Sequence, residues 1–165
     1  MLGAKNTRNP MTANFNWRFH RDGSLPQSDA IWVFGSNLAG RHGLGAALVA
    51  RERFAAVPGV GAGRTGRAYA IPTKDGRGGQ RLTDPAATLP LQEARENIRA
   101  FIAYAKAHPE LSFFVTRIGC GHAAFADAQI APLFHDAPNN CSFADEWRPL
   151  LEASLRPGAN SARPR

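Results

Sequence analysis

Ala30-Ile31-Trp32-Val33-Phe34-Gly35-Ser36-Asn37-Leu38-Ala39-Gly40-Arg41-His42-Gly43-Leu44-Gly45-Ala46-Ala47 decides the fold class of this 165-residue chain. The run from Ala30 to Phe34 is apolar at every position, which suits a strand buried on both faces of a parallel sheet. Gly35 closes the run. Gly43 to Phe54 then carries Leu44, Ala47, Leu48 and Arg51 at helical spacing and is rich in alanine, a strong helix former. Between strand and helix lies a glycine-rich turn, Gly35 to Gly45. Glycines let a backbone approach a ligand closely, and the free N–H groups and positive dipole end of the following helix suit an anion. The alternative is a tight connection with no ligand. Four glycines, an Asn and a His in eleven residues exceed what a turn needs.

Outward from this stretch, strands and helices alternate. Asn14 to His20 alternates polar and aromatic residues and reads as a half-exposed strand. Pro58-Gly59 stops the first helix, and a glycine-rich stretch, Gly59 to Gly66, leads to a short strand, Arg67 to Ile71, ended by Pro72. The clearest helix starts at Thr88-Leu89-Pro90. Its stripe is Leu91, Ala94, Ile98, Phe101, Ile102 and Ala105, matching the 3.6-residue period, and Pro109 ends it. Leu111 to Ile118 is a further strand. Helices are expected over Ala126 to Phe134 and over Phe143 to Leu155, the latter capped by Ser142. Asn139-Asn140 reads as a turn and Trp147 as a core or rim aromatic. The expected architecture is a three-layer α/β/α domain with a mixed central sheet. It covers 15–155, between polar tails at 1–14 and 156–165 that read as disordered.

Composition narrows the function classes. No apolar run approaches the roughly 20 residues of a membrane span, and the N-terminus lacks the apolar middle of a signal peptide, so a cytoplasmic protein without a membrane partner is expected. Cys120 and Cys141 are too few for a disulfide framework, and the histidines lack structural-zinc spacing; neither metal nor cofactor is expected. The net charge of +7 invites a nucleic-acid reading. However, Lys5, Arg8, Arg18, Arg21, Arg156, Arg163 and Arg165 place most of the excess near the two ends. A basic balance alone is poor support for nucleic-acid binding, and that partner is not expected.

Ligands of open α/β sheets bind beyond the carboxyl ends of the strands. Three loops stand there. The first supplies Gly35, Ser36, Asn37, Gly43, Leu44, Gly45 and Ala46. It is not a Walker A loop, since no Gly-Lys pair occurs, and Leu48 takes the third glycine of a dinucleotide fingerprint. Gly61-Ala62-Gly63-Arg64-Thr65-Gly66 matches that fingerprint but precedes a strand instead of opening a helix, so it is discarded. The second loop, Pro72 to Gly79, offers Thr73, Lys74 and Asp75. Lys74 and Asp75 are either a charged pair on the rim or contacts to a phosphate and to a hydroxyl or water. The third loop offers Ile118, Gly119, Cys120, Gly121 and His122. Cys120 lacks the following Arg of a phosphatase-type loop and reads as a packing residue, not a nucleophile. His122 either lines the site or sits on the polar surface.

Together, VFGSNLAGRHGLGAA, YAIPTKD and VTRIGCGHA…IAPLF resemble the macrodomain family, and more closely a group of bacterial and phage macrodomain-like proteins. The resemblance spans about Ile31 to Trp147. It implies ADP-ribose or a related nucleotide as ligand. Gly43-Leu44-Gly45-Ala46 would lie at the distal ribose and first phosphate, Asn37 at that ribose, and Gly119-Cys120-Gly121-His122 at the diphosphate. Phe34-Gly35-Ser36-Asn37 departs from the family's Asn-Ala-Ala-Asn. Asp29 is the candidate for the family's adenine-side Asp. The protein is then either a hydrolase of ADP-ribose adducts, with Asn37, His42 or Asp75 orienting a water, or a module that binds without turnover.

Overall fold

The computed structural model describes residues 16–156, so both tails, apart from Arg156, and positions 14 and 15 of the first expected strand lie outside the described residues. Six strands form one sheet: β1 (Arg18–His20), β2 (Ile31–Asn37), β3 (Gly63–Thr65), β4 (Ala68–Lys74), β5 (Phe113–Val115) and β6 (Cys141–Ala144). Their order across the sheet is β1-β6-β5-β2-β4-β3. All neighbours pair in parallel except β3 with β4, so the sheet is mixed, as expected. The α-helices are α1 (Gly45–Arg53), α2 (Leu91–Ala107), α3 (Asp127–Ile130) and α4 (Arg148–Ser154).

The period-2 alternation of the strands explains the layers. Ile31, Val33, Tyr69, Ile71, Phe113, Val115, Cys141 and Phe143 point to one face, where they meet Ile98, Phe101 and Ile102 of α2 with Phe134, Trp147 and Leu151. Trp32, Phe34, Ala68, Ala70 and Phe114 point to the other, where Ala47 and Ala50 of α1 cover them. Each fully buried Phe or Ile contributes about 1.5–3 kcal/mol of transfer free energy, which is why both faces need a helical cover. On the α1 face, Phe54, Trp32, Phe114 and His20 stack in a row with centroid spacings of 5.0, 5.4 and 3.6 Å.

Several elements differ from expectation. β4 runs through Pro72 to Lys74. β3 pairs only with Ala68–Ala70, and the ladder to β2 slips between Ser36 and Asn37, skipping Thr73; Pro is tolerated at such a bulge. β2 likewise continues through Gly35 and Ser36 to Asn37. The β5 ladder is only three residues long. Pro132 has no N–H to give, so the helix after Ala126 tightens into a 3₁₀ turn at Ala131–Phe134. Finally, Ser142 caps no helix. It lies in β6, and the helix begins at Arg148, where Pro149 sits in the first turn. Cys141 and Phe143 alternate into the core, and the Ser142 hydroxyl meets His20 Nδ1 at 2.6 Å.

Candidate functional site

The connection after β2 crosses the sheet on the α1 face, whereas those after β4 and β5 use the α2 face. The loops following β2 and β5 therefore part in opposite directions. That divergence opens a crevice at the carboxyl ends of the strands, the expected place for a ligand. The crevice is a cleft of about 460 Å³. A Cβ on Gly35 would lie 3.5 Å from the Gly119 amide nitrogen, so the first and third loops meet at its floor.

Of the first loop, Gly35, Ser36, Asn37, Leu44, Gly45 and Ala46 line the cleft; Gly43 does not. The Ser36 hydroxyl donates to the Gly61 carbonyl. Asn37 is 3% exposed and its amide is committed: Nδ2 donates to the Arg41 carbonyl at 2.7 Å and Oδ1 accepts the Arg41 N–H at 3.0 Å. It clamps the turn at the strand end. Gly40, at φ +69°, packs so tightly on Gly59 that a Cβ would meet its backbone at 2.3 Å. α1 begins at Gly45 with no side-chain cap and no acidic residue in its first turn, so its first amides face the cleft uncompensated.

His42 lies outside the cleft lining. It is 3% exposed, packs edge-on against Phe34 at 5.3 Å, and among the described residues neither ring nitrogen has a hydrogen-bond partner in good geometry. Burial pushes its pKa below 6.5, opposed by the Val60 backbone and reinforced by Arg51. Its folded pKa is lowered, so the unfolded chain binds the proton more tightly and stability rises with pH. The loss begins as pH falls through 6.5 and is complete below the lowered folded value; His20, also lowered by burial, adds to it. His42→Leu replaces a buried, poorly hydrogen-bonded ring by an apolar side chain, a near-neutral or stabilising exchange. The variant is expected to show a smaller gap between urea midpoints at about pH 5 and about pH 7.5 than the parent. An unchanged gap would remove His42 from this account.

The second loop separates its two charges. Asp75 is not in the cleft lining; it pairs with Arg77 at 2.7 Å, and that hydrogen bond holds its carboxyl below the usual range. Lys74 sits in the lining but is 4% exposed. Its ammonium donates to the carbonyls of Leu82, of Asp84 at 3.1 Å and of His122 at 2.8 Å. Burial pushes its pKa down. It ties the second loop to the third. Thr73 beside it is buried and lines the cleft.

The whole of Ile118 to His122 lines the cleft. Gly119 has φ +77°, and its carbonyl accepts the Phe125 N–H at 2.9 Å, which turns the loop back on itself. Burial and the nearby Asp127 push the Cys120 thiol up to about 12, so it is protonated at neutral pH and no nucleophile. Arg117 makes two parallel bonds to Asp127, Nε–Oδ1 at 3.0 Å and Nη2–Oδ2 at 2.5 Å, and a third to Asp22 at 3.1 Å. Asp127 Oδ1 also accepts the Trp147 indole N–H at 2.6 Å.

No family model, curated protein or solved structure matches this chain. The site is therefore read from its own residues. Among the described residues no group of three or more His, Cys, Asp or Glu could hold a metal, and no helix is long and apolar enough to cross a membrane.

Sequence reasoning missed Arg41, Arg117, Asp22, Leu25, Leu82 and Trp32, all in the lining. Asp22 stands there instead of Asp29, which is exposed and outside the cleft. Two of the misses carried a signal. Arg41 is the sole Arg or Lys in the Gly35–Gly45 turn, and Arg117 directly precedes the Ile118-Gly119 corner. Asp22, Leu25 and Leu82 come from loops whose sequence carries no comparable mark.

Proposed function

We propose that this protein binds a diphosphate-bearing nucleotide of the ADP-ribose type in the cleft, as the macrodomain resemblance implies, and holds it without turnover. One observation carries the reading: among the described residues, the two cations of the first and second loops that line the cleft, Arg41 and Lys74, form no ion pair with a carboxylate and bond to backbone carbonyls, and the start of α1 has no side-chain cap. By contrast, Arg117 is neutralised by Asp22 and Asp127. An unbalanced positive end in a concave site suits a diphosphate. The volume is within the usual range of roughly 300–1,000 Å³ for small-molecule sites. Leu25, Val49 and the edge of Trp32 add apolar surface suited to the ring of a nucleoside.

Binding is favoured over hydrolysis because water-orienting candidates are scarce. His42 and Asp75 stand outside the cleft, and the Asn37 amide is occupied. The exposed His122 ring at the cleft is the one feature that favours the hydrolase reading.

Calorimetry of the full chain with ADP-ribose, ADP and pyrophosphate tests the reading, with chromatography of an ADP-ribosylated protein as the turnover assay. The expected result is saturable binding of ADP-ribose with no product released. Ala46→Asp puts a carboxylate in the first turn of α1. It favours the helix but repels a phosphate there, so ADP-ribose affinity is expected to fall at least about tenfold without loss of thermal stability. No heat with any of the three ligands overturns the proposal. Release of ADP-ribose, abolished by His122→Ala, selects the hydrolase instead.

A further inference from the structure

Arg41 faces two ways. Its backbone is fixed to the end of β2 by the Asn37 amide. Its Nη2 donates to the carbonyls of Gly76 at 2.9 Å and Gln80 at 2.6 Å. A Cβ on Gly76 would lie 2.8 Å from that nitrogen, so the guanidinium packs directly on the segment. Among the described residues, Nε and Nη1 bond to no protein group and no carboxylate pairs with the side chain, and Arg41 lines the cleft.

The segment it holds, 76–84, has little else to fix it. It is exposed from 77 to 81 and again at 83 and 84. Gly76 and Gly79 have φ of +73° and +77°. Its own backbone bonds are local turns, Gly79 to Gly76 at 3.2 Å and Asp84 to Arg81 at 3.0 Å. Arg41 grips its first half and Lys74 its second, through the Leu82 and Asp84 carbonyls. Leu82 carries the segment into the cleft lining.

We infer that Arg41 is a ligand-linked latch, one of whose two unbonded nitrogens, Nε or Nη1, takes a phosphate oxygen of the bound nucleotide while Nη2 holds segment 76–80. The inference deepens the nucleotide reading and its ligand half rests on it. A guanidinium has five donors in a fixed fork, so it serves a phosphate and two carbonyls at once; an ammonium cannot match that plane. A phosphate held by the remaining N–H groups fixes the rotamer that grips the segment. Ligand binding and order of 76–80 are then coupled through one side chain, and the coupling is reciprocal.

The test combines ADP-ribose calorimetry with amide hydrogen exchange of 76–82 on the full chain, for the parent, Arg41→Ala and Arg41→Lys. Arg41→Ala is expected to speed exchange of 76–82 without ligand and to weaken ADP-ribose binding on the order of 10- to 100-fold. In the parent, saturating ADP-ribose is expected to slow that exchange; Arg41→Lys is expected to bind more weakly and show no slowing. Parental affinity in Arg41→Ala, or exchange at 76–82 indifferent to ligand in the parent, overturns the coupling. If the parent binds no ADP-ribose, the nucleotide reading fails. The latch is then judged alone: unchanged exchange in ligand-free Arg41→Ala overturns it too.

Discussion

Asp127→Ala is expected to lower the unfolding free energy by about 2–4 kcal/mol. One carboxylate receives three hydrogen bonds there, two from Arg117 and one from the indole of Trp147. Trp147 has no exposed surface, so its N–H has no water to turn to once the carboxylate is gone. Arg117 would keep only its bond to Asp22, on a surface where an ion pair is worth about 0–1 kcal/mol. Urea denaturation at neutral pH checks the loss. Asp127→Asn, which retains an acceptor for the indole, is expected to lose less. The acid side gives a second check. Arg117 and Trp147 hold the Asp127 carboxyl below its ordinary 3.8. Its contribution is present above that value and is lost as pH falls from there through the lowered folded pKa. Asp127→Ala is expected to lack that part of the acid limb. A neutral-pH loss under about 1 kcal/mol would show that the three bonds are not coupled as described.

Gly61→Ala is expected to cost about 2–3 kcal/mol and to weaken ADP-ribose binding. A Cβ at that position would stand 2.2 Å from the Asn37 carbonyl oxygen and 3.0 Å from that of Leu38. Both are backbone atoms at the end of β2, with no rotamer to move aside, so the strand end itself must shift; overpacking of this kind costs about 1–3 kcal/mol. The shift would reach the ligand side, because the same Asn37 carbonyl accepts the Gly40 N–H and its side chain fixes Arg41. Gly43→Ala is the matched control. Nothing lies within 4 Å of a Cβ there, and a Gly→Ala change without strain gains about 0.4–1 kcal/mol through the unfolded chain. Thermal unfolding should move in opposite directions for the two. A harmless Gly61→Ala would mean that the 59–66 stretch does not brace the first loop.

The main features of the fold were legible because they depend on local pattern. The unbroken apolar run Ile31 to Phe34 is what a doubly covered strand requires, and the α2 stripe matches its buried residues from Ala94 to Ala105. The failures came where pairing overrode pattern. Pro72 looked like a strand end because proline ends strands that have partners on both sides. β4 has lost its outer partner by that point, so the strand continues. Ser142 to Ala144 looked like the cap and start of a helix, and only the pairing of Cys141–Ala144 with Arg18–His20 and with β5 makes it a strand. Such long-range pairing leaves no periodic mark in four residues.

The site was half legible for a related reason. Glycines advertise close approach, and the first and third loops do meet at the cleft. What a long polar side chain reaches is not written in its neighbours. Lys74 read either as half of a charged pair with Asp75 on the rim or as a contact to a phosphate. It is buried, and its partners are carbonyls 8, 10 and 48 residues away. Asn37, His42 and Asp75 looked equivalent as polar residues in loops. The structure separates them into a backbone clamp, a core ring and a surface ion pair.

Arg41 and Lys74 hold the cleft together through carbonyl dipoles, with no opposite full charge in either contact. Mobile ions screen attraction between separated charges far more than short hydrogen bonds to partly buried carbonyls. Ionic strength therefore acts on the two roles of these cations unequally. If the proposed nucleotide binds, concentrated salt is expected to compete for its phosphate and to disturb the scaffold less. On the proposed reading, salt would weaken the hold on a phosphate while the carbonyl contacts of Arg41 and Lys74 persist.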